Sequence, residues 1–259
     1  MTFNFDTMPE KVLYQVNGSV AEITLNNPEK LNCMGFEMLR ELDLVFGEIA
    51  SMDTIRAVLI SGAGERAFST GADLKEFRSL SSSQAEEWIL FGNQLFNKIA
   101  LLPKPTVALL EGYVMGGGLE LALACDFRLG TVRTVISSPE LQHGWLPGWG
   151  GMTRLRRLLG EAKAKEVVML NERIQANEAL GLGLISRILN EGGEREEVDE
   201  IMDHLAKLKP AAFTLAKAAL MDEGRTTGQK IEWLRDWTKR KLAQREIRYY
   251  QESTFLFDE

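Results

Sequence analysis

Apolar and polar residues alternate in short runs near the start of the chain and then settle into a longer period. Val12 to Val16 and Val20 to Leu25 flank Asn17-Gly18, a dipeptide suited to the positive φ of a two-residue turn, and together they predict a β-hairpin. From Met34 to Ile49 the residues Phe36, Leu39, Leu42, Leu44, Val45, Phe46 and Ile49 recur at helical spacing, whereas Ala57 to Ile60 is a continuous apolar run of strand length. Ser81-Ser82-Ser83 supplies hydroxyl caps for a second helix reaching about Leu101, and Pro103 and Pro105 punctuate the entry to a strand at Val107 to Leu110. Beyond these, the pattern predicts short strands near Asp126 to Thr131 and Val135 to Ser137. Helices follow near Thr153 to Leu159, Ala162 to Leu170 and Ala176 to Leu180, with a last short strand around Ile185. From Glu194 onward the pattern is mainly helical and includes a long charged stretch from Ile231 to about Tyr250. Strands alternating with helices, without a linker or repeat, predict an α/β class and one domain that ends in a helical extension.

Composition narrows the function classes. The 259 residues are 45% apolar and 26% charged, ordinary for a folded protein and unlike a disordered or fibrous chain. Thirty basic against 37 acidic residues leave a net charge of −7, which argues against a broad nucleic-acid surface. Cys33 and Cys125 make no CxxC pair, so a reduced, cytoplasmic setting is expected. No signal peptide or membrane span is expected either, because Met1 to Asp6 lacks a basic region followed by an apolar one, and the most apolar stretch, Thr106 to Cys125, carries Glu111 and Glu120.

Glycine departs from the average. Gly112, Gly116, Gly117, Gly118, Gly144, Gly148, Gly150 and Gly151 crowd into residues 112–151, where the backbone must turn tightly or approach something closely. Gly116-Gly117-Gly118 precedes an Ala- and Leu-rich helix. The free N–H groups at such a helix start suit an anionic oxygen, although close packing of a turn is the commoner reason for an isolated run of glycines. Glu120 lies among Leu119, Leu121 and Leu123, where a carboxylate is costly unless paired or functional. Glu140 follows Ser137-Ser138-Pro139 and precedes Gly144-Trp-Leu-Pro-Gly-Trp-Gly-Gly151. If the fold brings them together, two such carboxylates can hold one water and divide acid and base roles; separately, each is a surface or salt-bridged glutamate.

A third segment, Ala67-Phe-Ser-Thr-Gly-Ala-Asp-Leu-Lys-Glu76, places a tight turn ahead of a helical pattern and offers a second backbone donor. Just before it, Gly62-Ala-Gly-Glu-Arg-Ala67 formally matches a dinucleotide fingerprint, but Phe68 to Gly71 interrupts where a helix should open. His143 and His204 show no metal-ligand spacing, and there is neither a GxSxG elbow nor a Walker loop. His143 is a candidate substrate contact, His204 a helix-face residue, and Trp145 and Trp149 are candidate pocket walls.

In their order and spacing, Leu25-Asn-Asn-Pro-Glu-Lys-Leu-Asn32, Ala67 to Glu76, Gly116-Gly-Gly-Leu-Glu120 and Pro139-Glu140 with Pro147-Gly-Trp-Gly-Gly151 resemble the crotonase superfamily of enoyl-CoA hydratases and isomerases. The resemblance implies a spiral of ββα turns over residues 1–195 and a C-terminal helical trimerisation region over 196–259, in a homotrimer or homohexamer. It also implies acyl-CoA thioester chemistry, with coenzyme A as part of the substrate and no other cofactor or metal, and no nucleic-acid or membrane partner. By the same resemblance, the backbone N–H groups of Ala72 and Gly117 form an oxyanion hole and Glu120 and Glu140 are the catalytic pair of a hydratase. Lys30, Ala72, Asp73, Leu74, Gly116, Gly117 and Trp149 contact the substrate or its CoA moiety. A crotonase-type isomerase or hydrolase is the alternative, and a non-catalytic RNA-binding or scaffold member is a further one. The chain departs from the family pattern at Asn27, at Gly150-Gly-Met-Thr-Arg-Leu155 and at Gln244 to Ser253, where the frequent C-terminal motif is absent.

Overall fold

The predicted hairpin forms between β1 (Val12–Asn17) and β2 (Val20–Leu25), which pair antiparallel around Gly18 at φ 59°. The computed structural model describes residues 11–221 and, beyond them, Arg235. Contacts divide the chain into two compact units, 1–213 and 214–259. In the first unit α1 (Phe36–Ser51) turns Met38, Leu39, Leu42, Val45, Phe46 and Ile49 inward, as its period requires.

Three successive turns then follow one plan. The strands β3 (Ala57–Gly62) and β4 (Ala67–Ser69) lead into the helices α2 (Leu74–Phe77) and α3 (Ser82–Ala100). Next come β5 (Thr106–Leu110), β6 (Tyr113–Met115) and α4 (Gly117–Ala124), then β7 (Phe127–Gly130), β8 (Val135–Ser137) and α5 (Gly151–Lys165). The first strand of each turn joins a six-stranded sheet, completed by β10 (Arg187–Ile188), in the order β1-β2-β3-β5-β7-β10. The second joins a four-stranded sheet, completed by β9 (Ile174–Gln175), in the order β4-β6-β8-β9. Pairing is parallel from β2 through β10 and from β4 through β8, so the chain advances by one strand per sheet per turn and traces the spiral of ββα turns. The turn opened by β2 has a single bridge, Met34 to Ala72, where the others have a second strand.

Local chemistry sets the ends of the elements. Ser81 and Gln84 cap α3 reciprocally, with Ser81 N–H donating to Gln84 Oε1 at 2.9 Å and Gln84 N–H to Ser81 Oγ at 3.4 Å. Asp73 Oδ1 caps α2 by accepting from the N–H groups of Lys75 and Glu76. On one face of the large sheet Val20, Ala57, Leu59, Val107 and Leu129 pack against Val198, Met202 and Leu205 of α7 (Glu194–Lys207).

Several expectations shift. The last strand is Arg187–Ile188, with Ile185 buried just ahead of it. Helix α5 is interrupted at Gly160, φ 76°, in the gap between the two helices expected there, and the second of them ends in a π-helical turn, Glu166–Leu170, rather than as α-helix to Leu170. The GxGxx(G/A) segment joins β3 to β4, a strand rather than a helix, so the dinucleotide reading fails. The helix α6 is Ala176–Gly181 and α8 is Pro210–Met221. The expected charged helix from 231 to 250 lies, apart from Arg235, outside the described residues, as do Met1 to Asp6 and Gln244 to Ser253. Among the described residues no helix is long and apolar enough to cross a membrane.

Candidate active site

Where the small sheet meets the N-terminus of α4, three segments come within packing distance. Gly71 follows β4 at φ 90°, and a Cβ on it would lie 2.6 Å from Gly117 N and 2.8 Å from the Met115 carbonyl oxygen. Gly116, the residue before α4, holds φ 52° and ψ −126°, a conformation in which side chains are strained. A Cβ on Gly117 would strike the Trp149 ring, and one on Gly118 would strike the Ser69 carbonyl. The triple glycine thus has a backbone reason at Gly116 and a packing reason at Gly117 and Gly118.

The same packing presents two backbone donors. Met34 N–H donates to the Gly71 carbonyl at 2.7 Å and Asp73 N–H to the Met34 carbonyl at 2.9 Å, so the parallel bridge uses the groups flanking Ala72 and turns Ala72's own N–H to the other side. Gly71 N–H is engaged by Ser69 Oγ at 3.1 Å, and that hydroxyl donates to the Asn32 carbonyl at 2.7 Å. Gly117, as the first residue of α4, has an N–H with no partner inside the helix.

A cavity of about 470 Å³ opens beside these donors, and Ala72, Gly117, Glu120 and Glu140 all line it. Glu120, one turn into α4, is 4% exposed, and its Oε1 accepts from Trp149 N–H at 2.8 Å and Gly151 N–H at 2.7 Å. Burial pushes its carboxyl up to about 8, a rise that the charge of Glu140 reinforces and that the two amides and Arg154 oppose. Glu140 opens the 3₁₀ turn Glu140–His143; its Oε2 accepts from Ser138 Oγ at 2.7 Å, and its Oε1 is buried with no hydrogen-bond partner. Burial raises this carboxyl as well, against the Ser138 hydroxyl and the charge of His143. Burial thus favours the protonated form of both carboxyls, which line the same cavity.

Aromatic side chains wall the rest. Trp149 is buried edge-on against Trp88 and Phe96, with centroids 5.4 and 5.3 Å away, and Phe77 stands 4.9 Å from Trp88 and 4.1 Å from Trp145. The remaining candidates fall elsewhere. Asp73, Leu74 and Gly116 adjoin cavity residues without lining it, and Lys30 is exposed and ion-paired with Asp73 at 3.0 Å. His143 lies outside the lining, and His204 belongs to a separate hollow between α7 and β7. Reading the sequence missed Phe77, Trp88, Ile89, Asn93, Met152 and Thr153, which line the cavity from α2, α3 and α5. On a helix, a side chain that faces a cavity follows the same period as one that faces the core or solvent, and only the neighbouring glycine- and tryptophan-rich turn pointed to this region.

Residues 15–255 match the model of the enoyl-CoA hydratase/isomerase family. The chain belongs to that family. It is 34% identical to a short-chain-enoyl-CoA hydratase of Clostridium acetobutylicum, over 81% of this chain and 80% of that protein. It is 30% identical to a crotonyl-CoA hydratase of Syntrophomonas wolfei, over 84% of each. The crystal structure of an enoyl-CoA hydratase from Bacillus anthracis superposes with a TM-score of 0.84 at 30% identity, covering 88% of this chain and 90% of that one. The spiral described above is therefore the fold of enoyl-CoA hydratase/isomerase family members.

Proposed function

We propose that this enzyme is an enoyl-CoA hydratase, adding water reversibly across the 2,3 double bond of an acyl-CoA thioester. The observation that carries the reading is that Glu120, Glu140 and the free-donor residues Ala72 and Gly117 line a single cavity. In this reading the thioester oxygen accepts from Ala72 N–H and Gly117 N–H. Preorganised donors in a dry site stabilise the negative charge that grows on that oxygen as Cβ is attacked, and removing one such donor typically costs about 3–4 kcal/mol of barrier. A water between the carboxyls gives its oxygen to Cβ and a proton to Glu120, Cα takes a proton from Glu140, and the shared proton then re-equilibrates across the pair. The two amides on Glu120 Oε1 favour its ionised form at the moment it acts as base. Water and the thioester supply every atom, so the step is closed without a further cofactor. Lys30, with its neighbours Asp73 and Leu74, is assigned to the CoA moiety outside the cavity, Gly116 to the turn beside the thioester, and Trp149 to the acyl wall. A cytoplasmic setting and a homotrimer or homohexamer built through the region after residue 195 belong to the same reading, and the mass in solution by light scattering tests the latter.

Isomerisation or hydrolysis on the same scaffold is the second reading, and the pair of carboxyls facing one cavity favours hydration over either. Incubation with crotonyl-CoA, following loss of the conjugated thioester absorbance and identifying the product, decides between them. Glu120→Gln and Glu140→Gln are each expected to lower turnover by roughly 100-fold or more with acyl-CoA binding largely kept, as loss of general acid–base catalysis does. Near-normal turnover in either variant would falsify the two-carboxyl assignment.

A further inference from the structure

We propose that Asn93, Asn97 and Arg154 form a clamp that fixes the Gly148–Gly151 turn against Glu120, which makes them positioning residues for that carboxylate. The importance of the clamp for catalysis rests on the reading of Glu120 as the base, whereas its effect on the carboxyl is measurable without turnover.

The clamp is a continuous circuit of hydrogen bonds. Asn93 Nδ2 donates to the Gly148 carbonyl at 3.0 Å, and Asn97 Nδ2 donates to Asn93 Oδ1 at 2.9 Å. Arg154 closes it, donating from Nη2 to Asn97 Oδ1 at 2.6 Å and from Nη1 to the Trp149 carbonyl at 2.9 Å. Asn93 and Asn97 sit one turn apart on α3 and so share a face, while Arg154 lies in the first turn of α5. Two separate helices therefore grip the carbonyls of two consecutive residues.

Peptide geometry carries that grip to the active site. The Gly148 carbonyl and the Trp149 N–H belong to one planar trans unit and point in opposite directions. Holding the carbonyl on Asn93 thus aims the N–H the other way, where it meets Glu120 Oε1 at 2.8 Å. The next carbonyl, on Arg154, fixes the plane that leads into Gly150 and Gly151, whose N–H is the second donor to the same oxygen. Gly150 holds φ 98°, and a Cβ there would strike Arg154 Nη1, so the turn is shaped around the guanidinium. Gly151 has no room for a side chain either, because its Cβ would lie 2.7 Å from Glu120 Cγ. Among the described residues the charged groups that act on Glu120 are Glu140, from the turn after β8, and Arg154, from α5.

The test is a pH titration of Glu120 in the full-length protein by carboxyl ¹³C NMR, with glutamate labelled and Glu120→Gln used to assign the signal. The two N–H donors favour the ionised form, so loosening the turn is expected to raise the midpoint by about one pH unit, a tenfold change in the ionised fraction below it. Asn97→Ala removes the centre of the circuit at an exposed helix position without altering charge. Arg154→Lys keeps the charge but cannot reproduce the two-pronged fork. Both variants are expected to shift the midpoint upward. Midpoints within a few tenths of wild type in both would overturn the clamp, and should Arg154→Lys fail to fold, Asn97→Ala decides alone. A wild-type protein that hydrates no enoyl-CoA, together with shifted midpoints in the variants, would leave the clamp standing and remove the proposed function; active enzyme with unmoved midpoints would do the reverse.

Discussion

Glu120 stands out because an ionisable group lies among leucines, and the structure shows what that position costs. The group is buried, it shares a cavity with a second acid, and its carboxyl is pushed from 4.5 up to about 8. A carboxyl that binds its proton more tightly when folded makes the folded state progressively less favourable as pH rises between the two values, because there the unfolded chain holds fewer protons. That contribution to stability is complete below about pH 4.5 and is lost as pH climbs through about 8. Glu120→Gln keeps an oxygen to accept from Trp149 and Gly151 and removes the ionisation. Its thermal stability relative to wild type is expected to rise with pH across that window, at a slope of at most about 1.4 kcal/mol per pH unit, measured by denaturation at pH 5, 6.5 and 8. A difference independent of pH would show that Glu120 ionises as easily in the fold as outside it. By local pattern alone the partner residue, Glu140, is one glutamate before a glycine-rich turn, and only the family resemblance pairs it with Glu120. Twenty residues of chain separate the two acids, and local pattern carries no information about whether a third strand and a turn return the second to face the first.

Between elements, the decisive contact is the approach of the β4–α2 segment to the first residue of α4. Gly71→Ala would place a Cβ 2.6 Å from Gly117 N at a positive φ, so the two segments must part and the donors at residues 72 and 117 must separate. Overpacking costs about 1–3 kcal/mol, and misplacing a positioning group by an ångström can cost on the order of 100-fold in rate. Loss of kcat by that order, together with a lower Tm, is expected. Gly64→Ala is the control: it also has positive φ, at 76°, but its Cβ would meet only Pro28 Cβ at 3.6 Å, so it should lose about 1 kcal/mol of stability and keep its kcat. Equal kcat losses in both would mean that backbone strain, not the contact with α4, is responsible. Legibility at this scale followed element length. The 16 residues of α1 and the 19 of α3 show a clear helical period. The three-residue strands β4 and β6 are too short to show alternation, yet they flank both donor segments. The break at Gly160 falls in the gap between two predicted helices, whereas the π-helical turn at Glu166–Leu170 leaves the apolar spacing nearly intact, which is why that stretch reads as ordinary helix.

Taken as a whole, the spiral builds the cavity by delivering one piece of wall per turn: Ala72 and Phe77 from the β4–α2 turn, Gly117 and Glu120 from the next, Glu140 and the tryptophan turn from the last. The side chains of α3 and the Trp145–Trp149 turn complete the lining, most of it apolar. Phe77, Trp88, Ile89, Trp145, Leu146 and Met152 all line a space of about 470 Å³, which is far more lining than a four-carbon acyl group can touch. Each further methylene that leaves water for such a wall contributes about 0.8 kcal/mol, roughly a fourfold gain. Across a series of 2-enoyl-CoA substrates of four, six and eight carbons, kcat/KM is therefore expected to rise by up to about fourfold per methylene. Trp145→Ala, which removes a ring tilted against Phe77 with centroids 4.1 Å apart, should flatten that rise while leaving the four-carbon substrate little changed. The measurement is a set of initial rates on each chain length for both proteins. A kcat/KM that falls steadily from four carbons upward would mean that the aromatic wall closes the cavity rather than lining a path for the acyl chain.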